Sequence, residues 1–593
     1  MARLINFLLS QRYLLATLSI LLGGAISLGA LKTTIDSSDD SILSEDDPYR
    51  LEVAQVNKDF PPSTSVLFAF MSPEGDVFNR DMLQAMQDLT DRYTDVESAV
   101  SVASLINRRL NAVDADIHER DYLLPELDEL TAQDLVKIRE IALADKDLTQ
   151  SMLSPEGDMA LAVIKFHATS EEQPTQLRIA KTVIDLRDSL REQYPEQNIY
   201  VLGRILFEYD SYNAQIKDAK YLFPIVMLTI LGLMYFCLRS LSFALAIAVV
   251  SVMSVGLTVG TVGWAQVPFN QISNMGPLVV FMIAMADSIH LVSVYLQGLH
   301  KSLSKFEALS ESLRVNIQPV TLATVTTAMG FLSLNYCASP GIYGFGNVVA
   351  MGVVWAFLVT FTLLPALILL LPVKKVPEPL GVKGFINFVA KLVANHGKQL
   401  FWGSLLLIVV TFAMLPLNKV DFDRFSFIDK DSDFHTVISA LAEKIGNDQS
   451  LVYSINSGKY YGITEPEFLR KIEKFSIWLE EQPQTSFVTS YTGFLKNRNM
   501  AENDNDPAWE VLPEDNLQII DYLVGYQLVQ EIEPQLEPIF NSEYSAIRMV
   551  VGTSNLSNVQ LLDFSEEIED WITLNMDPAY DVMHGDNSIL YAR

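Results

Sequence analysis

The chain has 593 residues, of which 49% are hydrophobic, and its formal net charge is -30. This acidic balance disfavours nucleic acid as a partner, because binding to phosphates needs basic patches. A chain that is both apolar and acidic must separate the two properties along its length, as a membrane protein with polar domains does.

Seven apolar runs predict membrane spans that alternate with polar stretches. Lys and Arg in the short connections all fall on the side of the N-terminus, so the positive-inside rule places that side in the cytoplasm. In chain order we predict a cytoplasmic N-terminus at 1–12, the first span at 13–31, extracytoplasmic domain 1 at 32–218, a bundle of the second to sixth spans at 219–372, a cytoplasmic link at 373–399, the seventh span at 400–417 and extracytoplasmic domain 2 at 418–593.

The two extracytoplasmic blocks show the same order of predicted elements. Alternating strands and helices predict α/β or α+β domains, and a duplicated pair of span and outer domain is typical of transporters. The predicted strands are 65–71, 98–103, 160–166 and 198–202 in the first block and 450–455, 487–491, 545–551 and 580–583 in the second. The main predicted helices are 79–94 and 176–193, and 465–482 and 558–574.

The fourth span carries the candidate site. Asp287 lies midway along the apolar run 275–296, with Ser288 beside it and His290 one helical turn further on. A carboxyl group in a bilayer is costly and typically marks an ion or proton pathway, so we predict a proton relay of Asp287, Ser288 and His290. The alternatives are that Asp287 is a structural hydrogen-bond partner and that His290 caps or pairs locally.

Three threonines on the fifth span are candidates for relay support. Thr321, Thr324 and Thr327 recur every three residues and form a polar stripe on a helix. If the stripe faces Asp287, it offers hydroxyl groups and space for water. The alternative is that these threonines pack against neighbouring helices or bond back to their own backbone, as threonines in membrane helices often do.

Enzymatic motifs are absent from the sequence. It contains no G-x-x-x-x-G-K-[ST], no H-E-x-x-H, no C-x-x-C and no G-x-S-x-G. We therefore predict that the protein is not an enzyme, has no metal site and no cofactor, and uses the proton gradient as its energy source.

The order of spans and domains resembles the resistance-nodulation-division (RND) superfamily, and within it the MMPL-type exporters. The local resemblance lies in Ala284-Met285-Ala286-Asp287-Ser288-Ile289-His290 and in residues 316–334. It implies a multi-pass helical protein with two porter-like outer domains and a sterol-sensing-domain-like bundle at the second to sixth spans. It also implies export of lipids or other hydrophobic molecules across a bacterial inner membrane, driven by the proton-motive force, with membrane lipids, that substrate and a periplasmic carrier as partners.

Two features depart from the family pattern. Ile283 and Met285 stand where many members have glycine, so close packing of the fourth span is expected to differ. The family has twelve spans, so we expect this chain to be a truncated version of a longer transporter, with its own second half or another copy as a partner. The alternative functions are a non-transporting lipid-sensing or assembly-partner membrane protein and, third, a protein-translocation accessory.

Overall fold

The protein is described here by a computed structural model. The described residues are 2–36, 44, 46–61, 64–108, 122–124, 127, 130–145, 148–149, 152–166, 173–371, 383–418, 432–445, 449–504, 506–532, 538–553 and 556–592. The chain divides into two compact units. The membrane unit comprises Met1–Ser44 and Ser211–Lys419, and the sheet unit comprises Glu45–Asp210 and Val420–Arg593.

Seven helices in the described part of the chain are long and apolar enough to cross a membrane. We name them TM1 (Arg12–Lys32), TM2 (Arg204–Leu238), TM3 (Leu241–Ala265), TM4 (Ser273–His300), TM5 (Lys305–Tyr336), TM6 (Pro340–Leu370) and TM7 (Asn387–Leu417). Their α-helical parts are Arg12–Ser27, Arg204–Lys217, Phe223–Leu238, Leu241–Ala265, Gly276–His300, Lys305–Leu332, Pro340–Thr362, Leu364–Leu370 and Lys383–Met414, and a short helix, Ala2–Ser10, precedes TM1.

TM2 and TM5 begin earlier than the apolar runs predict. TM2 starts at Arg204, and its first turns are polar. A salt bridge of 2.9 Å between Arg204 Nε and Glu208 Oε1 stabilises them. TM5 starts after Ser304, which forms a capping box with Glu307, and the helix continues through Pro319. Apolar periodicity therefore locates the membrane-spanning portion of these helices but not their polar ends.

The seventh helix also differs from the prediction. It begins at Lys383 rather than at residue 400, so residues 383–399 of the predicted link are helical, with a break in helical geometry at His396. Residues 373–382 of that link lie outside the described residues. Lys383, Lys391 and Lys398 are spread along this part of the helix, and they lower its hydropathy although Lys is a good helix former.

TM1 and TM3 approach each other at the level of their backbones. A Cβ atom at Gly260 would lie 2.2 Å from the carbonyl oxygen of Ile26, and one at Gly29 would lie 2.1 Å from the carbonyl oxygen of Gly260. Small residues allow membrane helices this close contact, in which packing replaces the hydrophobic effect as the source of stability. TM3 also packs on TM4 and TM6, which places it at the centre of the membrane unit.

The sheet unit contains two four-stranded antiparallel sheets with the same topology, so its two domains are of the α+β type. Sheet domain 1 has the strand order β2-β3-β1-β4 and sheet domain 2 has the order β6-β7-β5-β8. The strands are β1 (Ser65–Met71), β2 (Ala99–Ala103), β3 (Met159–Phe166), β4 (Asn198–Leu202), β5 (Gln449–Asn456), β6 (Thr485–Thr489), β7 (Ala546–Thr553) and β8 (Asp581–His584).

The predicted strands and the predicted duplication are confirmed by these sheets. The register shifts between Ala99 and Ser101 in β2 and between Thr485 and Phe487 in β6, so even the bulge is repeated. Helices cover the sheets at Arg80–Arg92, Ala132–Ala144 and Gln173–Gln193 in the first domain and at Pro466–Glu480, Tyr491–Glu502, Asn516–Ile532, Asn558–Asn575 and Ser588–Ala592 in the second.

Each sheet domain is completed by a helix from the other repeat. Helix Pro48–Asp59, which follows TM1 in the chain, packs on β8 of sheet domain 2. Helix Asp433–Ala440, which follows TM7, packs on β4 of sheet domain 1. We name the first contact the apolar junction and the second the charged junction. This exchange ties the two sheet domains into one unit.

A polar layer in the membrane unit as candidate functional site

Contacts between helices fix the height of each TM3 residue relative to TM4. The rings of Phe243 and Tyr295 lie 5.9 Å apart, and Thr258 and Val280 both lie beside Gly352. TM3 and TM4 are antiparallel, and the two pairs are separated by the same number of residues on both helices, so the helices keep one register over this stretch. Ser251 lies eight residues after Phe243 and Asp287 lies eight residues before Tyr295, so Ser251 is level with Asp287.

The same reasoning applies to TM5 and TM6. The hydroxyl oxygens of Ser288 in TM4 and Thr360 in TM6 lie 3.4 Å apart. On TM5 the hydroxyl group of Ser312 donates to the carbonyl oxygen of Leu291 at 2.6 Å. Because TM5 runs antiparallel to TM4, Asn316, one turn beyond Ser312, is level with Asp287.

Five buried polar side chains from four helices therefore lie at one height, and we call this group the polar layer. The polar layer consists of Ser251, Asp287, Ser288, Asn316 and Thr360, and none of the five side chains is more than 9% exposed. Its height coincides with the middle of TM4. At the height of Asp287 the bundle thus carries hydroxyl and amide groups that can both donate and accept hydrogen bonds.

Asp287 has no fixed partner in the part of the chain that the structure describes: its carboxyl group forms neither a hydrogen bond nor an ion pair there. The hydroxyl oxygen of Ser251 also lacks a partner among these residues. Asn316, in contrast, donates to the carbonyl oxygen of Ser312 at 2.9 Å. An unpaired charge is costly in a membrane interior, so this carboxyl group is suited to binding and releasing a proton rather than to holding a permanent ion pair.

His290 and the three threonines of TM5, which were predicted to support Asp287, are not members of the polar layer. His290 is exposed on the membrane unit, and within the described residues it forms no hydrogen bond with Asp287. Of the threonines, Thr321 is exposed and donates to its own helix, Thr327 is half-buried and Thr324 is buried. Thr324 lies eight residues beyond Asn316 on TM5, about 12 Å along the helix axis from the polar layer. The stripe is therefore not level with Asp287.

Sequence reasoning identified Asp287 and Ser288 but missed the other members of the polar layer. Ser251, Asn316 and Thr360 are single polar residues in or beside apolar runs, and each run contains other serines or threonines. Only the register between the helices shows that these three, and not the other polar residues of their helices, are level with Asp287. In the described residues, no group of three or more His, Cys, Asp or Glu side chains is placed to hold a metal ion.

Comparison with known proteins gives the family. A model of the MMPL family matches residues 41–390, which is more than half of the 593 residues. The chain belongs to the MMPL family. The matched segment includes Asp287 and the rest of the polar layer, so the candidate site lies inside the part of the MMPL protein that defines the family.

Two relatives add detail. The hopanoid transporter HpnN of Rhodopseudomonas palustris (strain TIE-1) is 26% identical over 162 residues, which are 26% of this MMPL protein and 18% of HpnN. The hedgehog release protein Disp from the water bear Hypsibius dujardini has a similar fold, with a TM-score of 0.52 and 14% identity over 99% of this chain and 79% of Disp. This likeness confirms the multi-pass RND-type fold.

Proposed function

We propose that this MMPL-family protein is a membrane transporter of lipids or other hydrophobic molecules, and that proton binding at Asp287 drives the transport. The observation that carries the proposal is the buried carboxyl group of Asp287, which has no hydrogen bond or ion pair among the described residues although it lies in the middle of a packed bundle. Structural carboxylates in such surroundings are paired, whereas a carboxyl group that loads and unloads a proton must be free to do so.

The composition of the polar layer supports a proton as the coupling ion. Its described members supply one carboxyl group, three hydroxyl groups and one amide, and none carries a positive charge. Because Asp287 forms no ion pair among the described residues, a bound cation is the candidate source of the neutralising charge, and a single carboxyl group is sufficient to bind a proton. Hydroxyl and amide groups can hydrogen bond to the protonated and to the deprotonated carboxyl group, so they accommodate both states.

The substrate class and the location are part of the same proposal. The name of the relative HpnN points to hopanoids, which are hydrophobic lipids, and MMPL membership agrees with such a cargo. The distribution of Lys and Arg in the short connections favours an N-terminus in the cytoplasm and both sheet domains on the other face of a bacterial inner membrane.

The test uses the purified protein in proteoliposomes with an imposed pH gradient. We expect Asp287→Asn to abolish gradient-driven transfer of a radiolabelled hopanoid, by about a hundredfold or more, because the amide cannot bind and release the proton. Its melting temperature should stay within a few degrees of the wild-type value. The matched control is Glu311→Gln, which changes an exposed carboxyl group that pairs with Arg314 at 2.9 Å, and which should transport normally.

Unchanged transport by Asp287→Asn would remove Asp287 from the mechanism. If the wild-type protein binds the hopanoid but moves neither it nor protons, and Asp287→Asn binds it equally well, the non-transporting lipid-sensing or assembly-partner function is the correct one.

A further inference from the structure

Three hydroxyl groups buried in the membrane unit have no hydrogen-bond partner among the described residues. They belong to Ser251 of TM3, Tyr295 of TM4 and Thr324 of TM5. A buried hydroxyl group without a partner destabilises the fold, because it loses its hydrogen bonds to water and gains none in the protein. Native proteins satisfy such groups with protein atoms or with ordered water, so three of them in one bundle require an explanation.

Other hydroxyl groups buried in the membrane unit do have partners. Ser254 donates to the carbonyl oxygen of Val250 at 2.8 Å, and Thr258 donates to that of Ser254 at 2.8 Å. Both are as deeply buried as Ser251 and lie on the same helix. The bundle thus offers its hydroxyl groups internal acceptors, and Ser251 does not use one.

The three hydroxyl groups are distributed around Asp287 along the axis of the bundle. Ser251 is level with the carboxyl group, as the register of TM3 and TM4 shows. Tyr295 lies eight residues further along TM4, about 12 Å away on one side. Thr324 lies eight residues beyond Asn316 on the antiparallel TM5, about 12 Å away on the other side. The three hydroxyl groups are therefore spread over more than 20 Å along the axis of the bundle, which is more than two thirds of the hydrocarbon thickness of a bilayer.

We propose that Thr324, Ser251 and Tyr295 bind a file of water molecules that passes Asp287 and carries its proton through the bundle. The inference rests on the proposed function, because it supplies the path for the proton that Asp287 binds. Ser251 is a positioning residue: its hydroxyl group orients the water that exchanges a proton with the carboxyl group. Tyr295 and Thr324 hold water on either side.

Proton movement along such a file is chemically balanced. Each oxygen accepts a proton from one neighbour and passes its own to the next, so no atom is gained or lost and the net result is one proton moved. Each gap of about 12 Å needs about three to four water molecules at ordinary hydrogen-bond spacing. The tyrosine hydroxyl group needs to turn only about its C–O bond to pass a proton on.

The first experiment measures proton uptake into proteoliposomes in normal water and in heavy water. We expect Ser251→Ala and Tyr295→Phe each to reduce the rate about tenfold and to raise the solvent isotope effect, because an oriented hydroxyl group is removed. Ser251→Thr, which keeps the hydroxyl group, should restore the rate. The matched control is Ser254→Ala, whose hydroxyl group is satisfied by its own helix. Equal rates for Ser251→Ala and Ser254→Ala would overturn the role of Ser251.

The second experiment detects the water without reference to transport. Radiolytic hydroxyl-radical footprinting modifies aromatic side chains that contact bound water. We expect modification of Tyr295 although it is fully buried, and none of Tyr522, an equally buried tyrosine whose hydroxyl group is bonded to Asn499. An unmodified Tyr295 overturns the water file even if Asp287→Asn abolishes transport. If Tyr295 is modified while Asp287→Asn transports normally, the proposed function fails and the water file stands.

Discussion

The two junctions of the sheet unit have the same topology and different chemistry. In the charged junction, Asp433 accepts hydrogen bonds from Arg187 at 2.7 Å and from Arg191 at 2.9 Å, and Lys444 pairs with Asp158. In the apolar junction, Val56 and Phe60 pack with Ala546 and Met583. The helix at the charged junction also packs Phe434 and Val437 into an apolar cluster with Met159, Leu161 and Leu202, so its ion pairs add to apolar packing. The helix at the apolar junction is held mainly by apolar packing.

Aromatic and polar contacts border the apolar junction. The ring of Tyr49 lies 4.9 Å from that of His584, and the hydroxyl group of Tyr49 donates to Glu569 at 2.9 Å. The backbone N–H of His584 donates to Glu52 at 3.1 Å. The comparison shows that the repeated backbone topology permits the exchange and that each repeat stabilises it with its own side chains. The junctions should therefore respond differently to substitution and to pH.

The largest effect is expected at the charged junction. Asp433→Ala removes the carboxylate that Arg187 and Arg191 share and leaves Arg191 without its ion pair, while Arg187 keeps only the more exposed Asp188. This should lower the free energy of unfolding of the sheet unit by about 2–3 kcal/mol, less than for a fully buried pair. The loss would appear as a lower melting temperature of the full-length protein, followed by tryptophan fluorescence. The matched control is Asp188→Ala. Asp188 contacts the same Arg187 at 2.6 Å but is half exposed, so its loss should cost less than about 0.5 kcal/mol.

An intermediate effect is expected at the apolar junction. Val56→Ala removes two buried methyl groups and should destabilise the sheet unit by about 1–2 kcal/mol, with no dependence on salt. Leu51→Ala on the same helix, which is 59% exposed, should have almost no effect. The same melting experiment at low and high salt distinguishes the junctions, because salt should weaken only the charged one. A salt-dependent loss in Val56→Ala would contradict this assignment.

The smallest effect is expected from pH, and its sign differs between the junctions. Burial penalises the charge of Asp158, but Lys444 and Ser154 donate hydrogen bonds to it and lower its pKa below the ordinary 3.8. Its stabilisation is therefore complete above pH 3.8 and is lost as the pH falls through the folded-state pKa.

Asp586, beside the apolar junction, behaves in the opposite way. Burial raises its pKa above 3.8, although Ser588 and the backbone N–H of Val452 donate to it. Its contribution becomes unfavourable as the pH rises from 3.8 through the folded-state pKa. We expect Asp158→Asn to remove the loss of stability at low pH and Asp586→Asn to remove the decline at higher pH. The measurement is the melting temperature as a function of pH. If the Asp158 and Asp586 contributions to it change in the same direction as the pH rises, the predicted difference between the junctions is wrong.

Much of the local structure could be predicted from the sequence, because short-range patterns determine it. The strands predicted at 65–71 and 198–202 form at Ser65–Met71 and Asn198–Leu202, since alternation and β-branched residues act over a few positions. The exchange of helices could not be predicted. Tyr49 and Glu569 are 520 positions apart, and no periodic pattern records a contact over that distance.

The candidate site was predictable only in part, for a similar reason. Asp287 is visible because a charged residue interrupts an apolar run. The one-turn spacing of His290 and the three-residue spacing of the threonines describe positions on one helix, whereas the polar layer depends on the heights of four helices relative to one another. Ser251 illustrates this point, because its height follows from contacts made by Phe243 and Thr258 and not from its neighbours in the sequence.

The exchange of helices also sets an order of events during synthesis. Helix Pro48–Asp59 is synthesised more than 500 residues before β8, the strand on which it packs. At ordinary translation rates the interval between the two is roughly half a minute to two minutes. During that time Val56 and Phe60 have no partner. Sheet domain 1 likewise lacks its covering helix until Asp433–Ala440 is made. Newly made chains should therefore expose apolar surface until late in translation.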